Sequence, residues 1–96
     1  MIRSFADGAT QKLFLREPVR RSSRGLQRAA LRKLLLVDAC EALDELRIPP
    51  GNRLEKLGGD RAGQHSIRIN DQWRVCFRWR DGDARDVEIV ATIRRP

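Results

Sequence analysis

The chain has 96 residues, with 20 Lys plus Arg against 13 Asp plus Glu, for a net charge of +7. That length supports one hydrophobic core and excludes two separate domains, so residues 1–96 read as a single domain. Arginine dominates the basic set, so the charge persists at neutral pH and predicts a polyanionic partner; no apolar run reaches the length of a membrane span or signal peptide, which predicts a soluble, cytoplasmic protein without membrane contact.

Residues 1–5 alternate weakly and read as a short edge strand before the turn formers Asp7 and Gly8. Residues 9–16 carry helical spacing through Ala9 and Leu13, and Pro18 ends that segment by biasing Glu17 away from helix. Ser22 and Ser23 are candidate caps for the next helix, which is the strongest element: Leu26, Ala30, Leu34 and Val37 form one stripe, with Leu31 and Leu35 beside it. Arg24, Arg28 and Arg32 recur at every fourth position and stack along its other side. That row is a solvated face, a contact for RNA phosphates or a surface for an acidic partner protein. Leu43 and Leu46 predict a further turn or two of helix, stopped by Pro49, Pro50 and Gly51.

The apolar period then switches from 3.6 to 2, with strands expected at residues 53–57, 65–69, 73–80 and 85–90. Helices first and antiparallel hairpins second argue for an α+β fold of two layers. In the third strand Trp73, Val75, Phe77 and Trp79 point one way, and Arg74, Cys76, Arg78 and Arg80 the other. A two-residue turn at Asn70 and Asp71 would mix the two sets across the hairpin. A three-residue loop through Gln72 keeps Ile67 and Ile69 with Trp73 and Val75, and places Arg68, Arg74 and Arg78 together on an exposed face. The second hairpin is expected to turn through Asp81, Gly82 and Asp83.

A small sheet with one apolar and one guanidinium-rich face is suited to phosphate, because the planar fork of arginine matches phosphate oxygens bidentately. His65 is the one side chain whose ordinary pKa suits proton transfer near neutrality, and it is the weaker catalytic candidate. Gly58, Gly59 and Gly63 lack the Lys-Ser or Lys-Thr of a phosphate-cradling loop. Cys40 and Cys76 with a single histidine do not assemble a zinc set and read as buried, reduced thiols, so no metal and no cofactor is expected.

These segments, in this order, resemble the HigB branch of the RelE toxin superfamily: MIRSF at the start, GNRLEKLGGDRAGQHSIRIND in the centre, then QWRVCFRW, DGDA and DVEIV. The resemblance implies a RelE-like domain with N-terminal helices packed on a small antiparallel sheet. It implies a toxin of a toxin–antitoxin pair, a ribosome-dependent mRNA endoribonuclease whose cut follows attack of a ribose 2′-hydroxyl on the neighbouring phosphate. The implied partners are the ribosome and mRNA, a HigA-like helix-turn-helix antitoxin and, through it, operator DNA. Arg74 matches the family's phosphate-stabilising arginine, and Gly59, Asp60 and Arg61 match its Gly-Asp-Arg; Arg68 and Arg78, from the guanidinium-rich face, join Arg61 as expected phosphate contacts, with Arg24, Arg28 and Arg32 as further candidate RNA contacts. The chain departs from the family pattern at Glu55, where many members have histidine, at Gly58, where they have lysine, and at Arg85, where they have an aromatic residue. After DVEIV it continues with Ala91, Thr92 and Ile93 where members carry an Asp-Tyr-His that takes part in cleavage, so the resemblance also leaves a cleavage-deficient module that binds antitoxin and RNA as the alternative.

Overall fold

A computed structural model describes residues 1–19 and 23–92. Helix α1 (Gly8–Phe14) starts where the Asp7 carboxylate accepts from the Thr10 N–H at 2.8 Å, satisfying one donor of the open first turn. It ends two residues earlier than its spacing suggests, because Arg16 takes a left-handed conformation (φ 61°). The Arg16 and Glu17 N–H groups then donate back to the Leu13 and Lys12 carbonyls, closing the last turn as a Schellman motif. Helix α2 (Arg24–Ala39) is capped by Ser23, whose hydroxyl accepts from the Leu26 N–H at 3.1 Å; Ser22 lies outside the described residues. Its expected stripe is its buried side, with Ala30, Leu34 and Val37 in the core.

The expected helix around Leu43 and Leu46 is a single 3₁₀ segment, Leu43–Arg47, that buries Leu46. The next turn is fastened by the fully buried Asn52. Its amide donates to the carbonyls of Leu46 and Ile48 at 3.2 and 3.3 Å, and its oxygen accepts from Lys33 of α2.

The sheet is antiparallel in the order β1 (Glu55–Lys56), β2 (Gln64–Arg68), β3 (Trp73–Arg80), β4 (Asp83–Ala91). The first strand is shorter than its sequence suggests, since Arg53 is left-handed (φ 45°) and breaks the extended run. The first hairpin has the three-residue loop: Ile67 faces Val75 and Arg68 faces Arg74, while the Asn70 side chain accepts from the Gln72 and Trp73 N–H groups inside the loop. The second hairpin is tighter than expected. Arg80 pairs with Asp83, leaving only Asp81 and Gly82 in the turn, both at positive φ as a type I′ turn requires.

A β-bulge opposite Phe77, with Asp86 at φ 51°, breaks the register of β4. It explains how Ala84 and Val87, three residues apart, are both buried in the same core, which unbroken alternation forbids. Ser4 holds the bulge by accepting from the Asp86 N–H at 2.9 Å. The start of the chain lies parallel to β4 at Ile2–Ala84 and Phe5–Val87, so residues 1–5 border the sheet through isolated bridges rather than as a strand. The two helices cover the face bearing Ile67, Val75, Phe77 and Val87, which gives the two-layer α+β architecture. Arg74, Cys76 and Arg78 are thereby turned to the opposite, outer face. Among the described residues no helix is long and apolar enough to cross a membrane.

Candidate functional site

The outer face of the sheet is less open than an exposed strand face. Ser66, opposite Cys76, is 0% exposed, and the Arg74 side chain is only 13% exposed. Arg74 Nε donates to Ser66 Oγ at 2.8 Å, and its Nη2 donates to the Arg53 carbonyl at 2.8 Å and lies 3.6 Å from the Glu55 carboxylate. The left-handed bend at Arg53 that shortens β1 therefore aims a carbonyl at this guanidinium. Nη1 has no hydrogen-bond partner among the described residues, so one end of the fork is fixed and the other is free to meet an anion.

Gly59, Asp60 and Arg61 form a 3₁₀ turn that drops Arg61 onto the same face. Its Nη1 donates to Gln64 Oε1 at 3.0 Å and to Glu88 Oε1 at 2.7 Å. The Glu88 bond holds the guanidinium above its ordinary pKa, ahead of the opposing effect of burial. Arg78 is half-exposed, with its Nε 3.6 Å from Asp86. Its guanidinium passes so close to Gly63 that a Cβ there would lie 2.8 Å from Nη1 and push this flexible end aside, while the φ of 90° at Gly63 is what favours glycine. Arg68 shares the face but is turned to Asp71 in its own hairpin loop. Cys76 lies among these groups as a buried thiol; burial pushes its pKa up more strongly than Arg61 and Arg74 pull it down.

The structure thus gathers Arg61 and Arg74 around Cys76, with Arg68 and Arg78 on the same face, and separates them from His65 and from Arg24, Arg28 and Arg32. His65 precedes Ser66 on β2 and points to the opposite face, stacked on Phe77 with ring centroids 6.4 Å apart. Its Nδ1 is buried without a partner among the described residues, and burial, with Lys56 second, lowers its pKa. His65 and Arg74 accordingly do not face a common point. Arg24, Arg28 and Arg32 are exposed on α2, which packs on the far side of the sheet. Gln64 and Ser66 joined the site unannounced. Their signal was parity, since the register that places Arg74 outward also places Ser66 and Gln64 there.

A family model for HigB-like toxins, the RelE-like toxins of HigB type II toxin–antitoxin systems, matches residues 3–90. The chain belongs to this family. Toxin HigB-1 of Vibrio cholerae serotype O1 is 51% identical over 59 residues, which span 62% of this chain and 62% of that protein. An uncharacterized protein of Haemophilus influenzae is 32% identical over 62 residues, 65% of this chain and 61% of its own length. The matched stretch is therefore under two thirds of either relative. A chain of the YoeB–YefM complex from Staphylococcus aureus superposes with a TM-score of 0.61 over 99% of both chains at 13% identity, which establishes the shared fold. For this HigB-like chain, the Gly-Asp-Arg segment and the QWRVCF strand are the pieces that meet around Cys76.

Proposed function

We propose that this HigB-like chain is a ribosome-dependent mRNA endoribonuclease that inhibits translation, neutralised by a HigA-like helix-turn-helix antitoxin through which it also reaches operator DNA. The observation that carries the reading is the half-fastened Arg74, whose fixed Nε and Nη2 leave Nη1 presented to an anion. In the reaction a ribose 2′-hydroxyl loses its proton and attacks the adjacent phosphorus, a 2′,3′-cyclic phosphate forms, and the 5′-oxygen leaves with a proton. Arg74 stabilises the charge that develops on the phosphate oxygens, and a donor already in place spends no reorganisation at that moment. Arg61, Arg78 and Arg68 hold neighbouring phosphates.

A second reading is a cleavage-deficient module that binds antitoxin and RNA. It is favoured by one observation: β4 runs into Ala91 and Thr92, which supply no ionisable group beside Arg74, and His65 lies across the sheet. Ile93 lies outside the described residues. On strand alternation Thr92 follows Val90, the register partner of Arg74, onto the outer face. Primer extension on translating ribosomes separates the two readings. Cleavage by the parent supports the nuclease, and replacing Ala91, Thr92 and Ile93 by Asp, Tyr and His raises it by about tenfold or more, since a missing acid/base group typically costs about 10² to 10⁴ in rate. No cleavage by either protein, with folding intact, sinks the nuclease reading.

A further inference from the structure

The charge surplus is not where the candidate cleavage site is. Residues 16–33 carry seven basic side chains against the single acidic Glu17, which is +6 of the chain's +7. The rest of the chain carries thirteen against twelve. On the described part of this segment Arg24, Arg28 and Arg32 line one side of α2, and none of their guanidinium groups makes a hydrogen bond or ion pair with any described residue. Beside that row runs a second one. Leu31 and Leu35 repeat at the same four-residue spacing, and Leu35 is 42% exposed. The cleft between α1 and α2 is lined by Leu13 and Leu31 and by Arg16, Arg24 and Arg28, with Glu17 as its one carboxylate among the described residues and Gln27 beside them. It adjoins, through Leu13, an apolar recess that includes Leu26 and Trp73.

We propose that this cleft and the outer side of α2 seat an acidic, amphipathic helical segment of a partner protein. The inference rests on the antitoxin reading above and names the surface that the antitoxin would use. Carboxylates at every fourth position would meet Arg24, Arg28 and Arg32, and the apolar row beside them would cover Leu31 and Leu35. Apolar contact at the centre with arginine at the margin is the usual composition of a protein–protein interface. A nucleic acid would use the guanidinium row for its phosphates but would leave the leucine row exposed to water, so the paired rows favour protein over RNA.

The test uses the full chain and fluorescence anisotropy with three labelled probes: a short synthetic helix with Glu and Leu rows in this register, a scrambled peptide of the same composition, and a short single-stranded RNA. The patterned helix should bind at least about tenfold more tightly than the scramble and keep part of its affinity in raised salt, because apolar contact is not screened. The combined Arg24→Glu, Arg28→Glu and Arg32→Glu variant should lose that binding, Leu31→Ser should weaken it, and Arg74→Ala should leave it unchanged. Equal binding of patterned and scrambled peptides, or a Leu31→Ser protein that binds like the parent, overturns the proposal. So does RNA that displaces the helix and binds the Leu31→Ser protein undiminished, which would make this a nucleic-acid surface. If the triple variant fails to fold by circular dichroism, Leu31→Ser and Arg28→Gln decide the question alone. No ribosome enters the assay, so failure of the nuclease reading leaves this result standing, and the reverse.

Discussion

Two rows of arginines lie on opposite sides of this molecule, and they differ in company rather than in kind. On the sheet each site guanidinium has a carboxylate near it: Arg61 has Glu88, Arg74 has Glu55 and Arg78 has Asp86. On α2 the guanidinium groups of Arg24, Arg28 and Arg32 have none among the described residues. A fastened arginine has already lost its rotamer freedom and offers a defined direction, which suits stabilising charge at one atom. An unfastened arginine keeps its hydration and reach, which suits steering and docking. Net charge therefore marks the wrong surface for chemistry here, since the +7 that first suggests an anion site belongs almost entirely to residues 16–33.

The largest effect that would sharpen this comparison is the loss of a fastened arginine against the loss of a loose one. Arg74→Ala should reduce ribosome-dependent cleavage by about 30- to 1000-fold, corresponding to about 2 to 4 kcal/mol of transition-state stabilisation. Arg80 lies on the same strand but its side chain is 78% exposed, with Asp81 3.8 Å away, and Arg80→Ala should cost little. Equal effects of the two substitutions on cleavage, with circular dichroism unchanged, would break the link between fastening and function.

A smaller effect isolates the fastening itself. Ser66→Ala removes the hydroxyl that accepts from Arg74 Nε and leaves the residues on either side in place. Hydrogen bonds to charged groups contribute about 1.5 to 3 kcal/mol, so cleavage should fall by roughly tenfold or more through kcat rather than KM. In a double-mutant cycle the loss should vanish once Arg74 is already alanine. Additive losses would show that Ser66 acts independently of Arg74.

The sequence disclosed the parts of this arrangement that depend on period. The stripe of α2 and the choice of a three-residue loop between β2 and β3 followed from keeping Ile67, Ile69, Trp73 and Val75 on one side, and the same parity places Ser66 beside Arg74. It did not disclose the parts that depend on a break in period. The bulge at Asp86 shifts β4 by one residue, so Ala84 and Val87 could not both be assigned inward by alternation. The segment between β1 and β2 has no period at all, yet it carries Arg61 onto Glu88, a partner 27 residues away. A short, irregular loop fixed by one tertiary hydrogen bond, Arg61 to Glu88, leaves no local trace in composition.

The smallest effect concerns two adjacent residues, His65 and Ser66, which the pleat of β2 sends to opposite faces. Burial lowers the His65 pKa, with Lys56 adding to it, and Nδ1 is enclosed without a hydrogen-bond partner among the described residues. Protonation is therefore easier in the unfolded chain. Stability is full above the ordinary histidine value of about 6.5 and is lost as pH falls from there through the lowered folded value. His65→Phe, which keeps a ring against Phe77, should flatten that loss between about pH 7 and 5.5 in urea unfolding, a window above most carboxylate titration. The pH profile of cleavage should be the same in parent and variant, because His65 faces the helices and Arg74 faces away from them. A changed pH–rate profile with an unchanged pH–stability profile would place the proton-transfer role on His65 and refute the separation of the two faces.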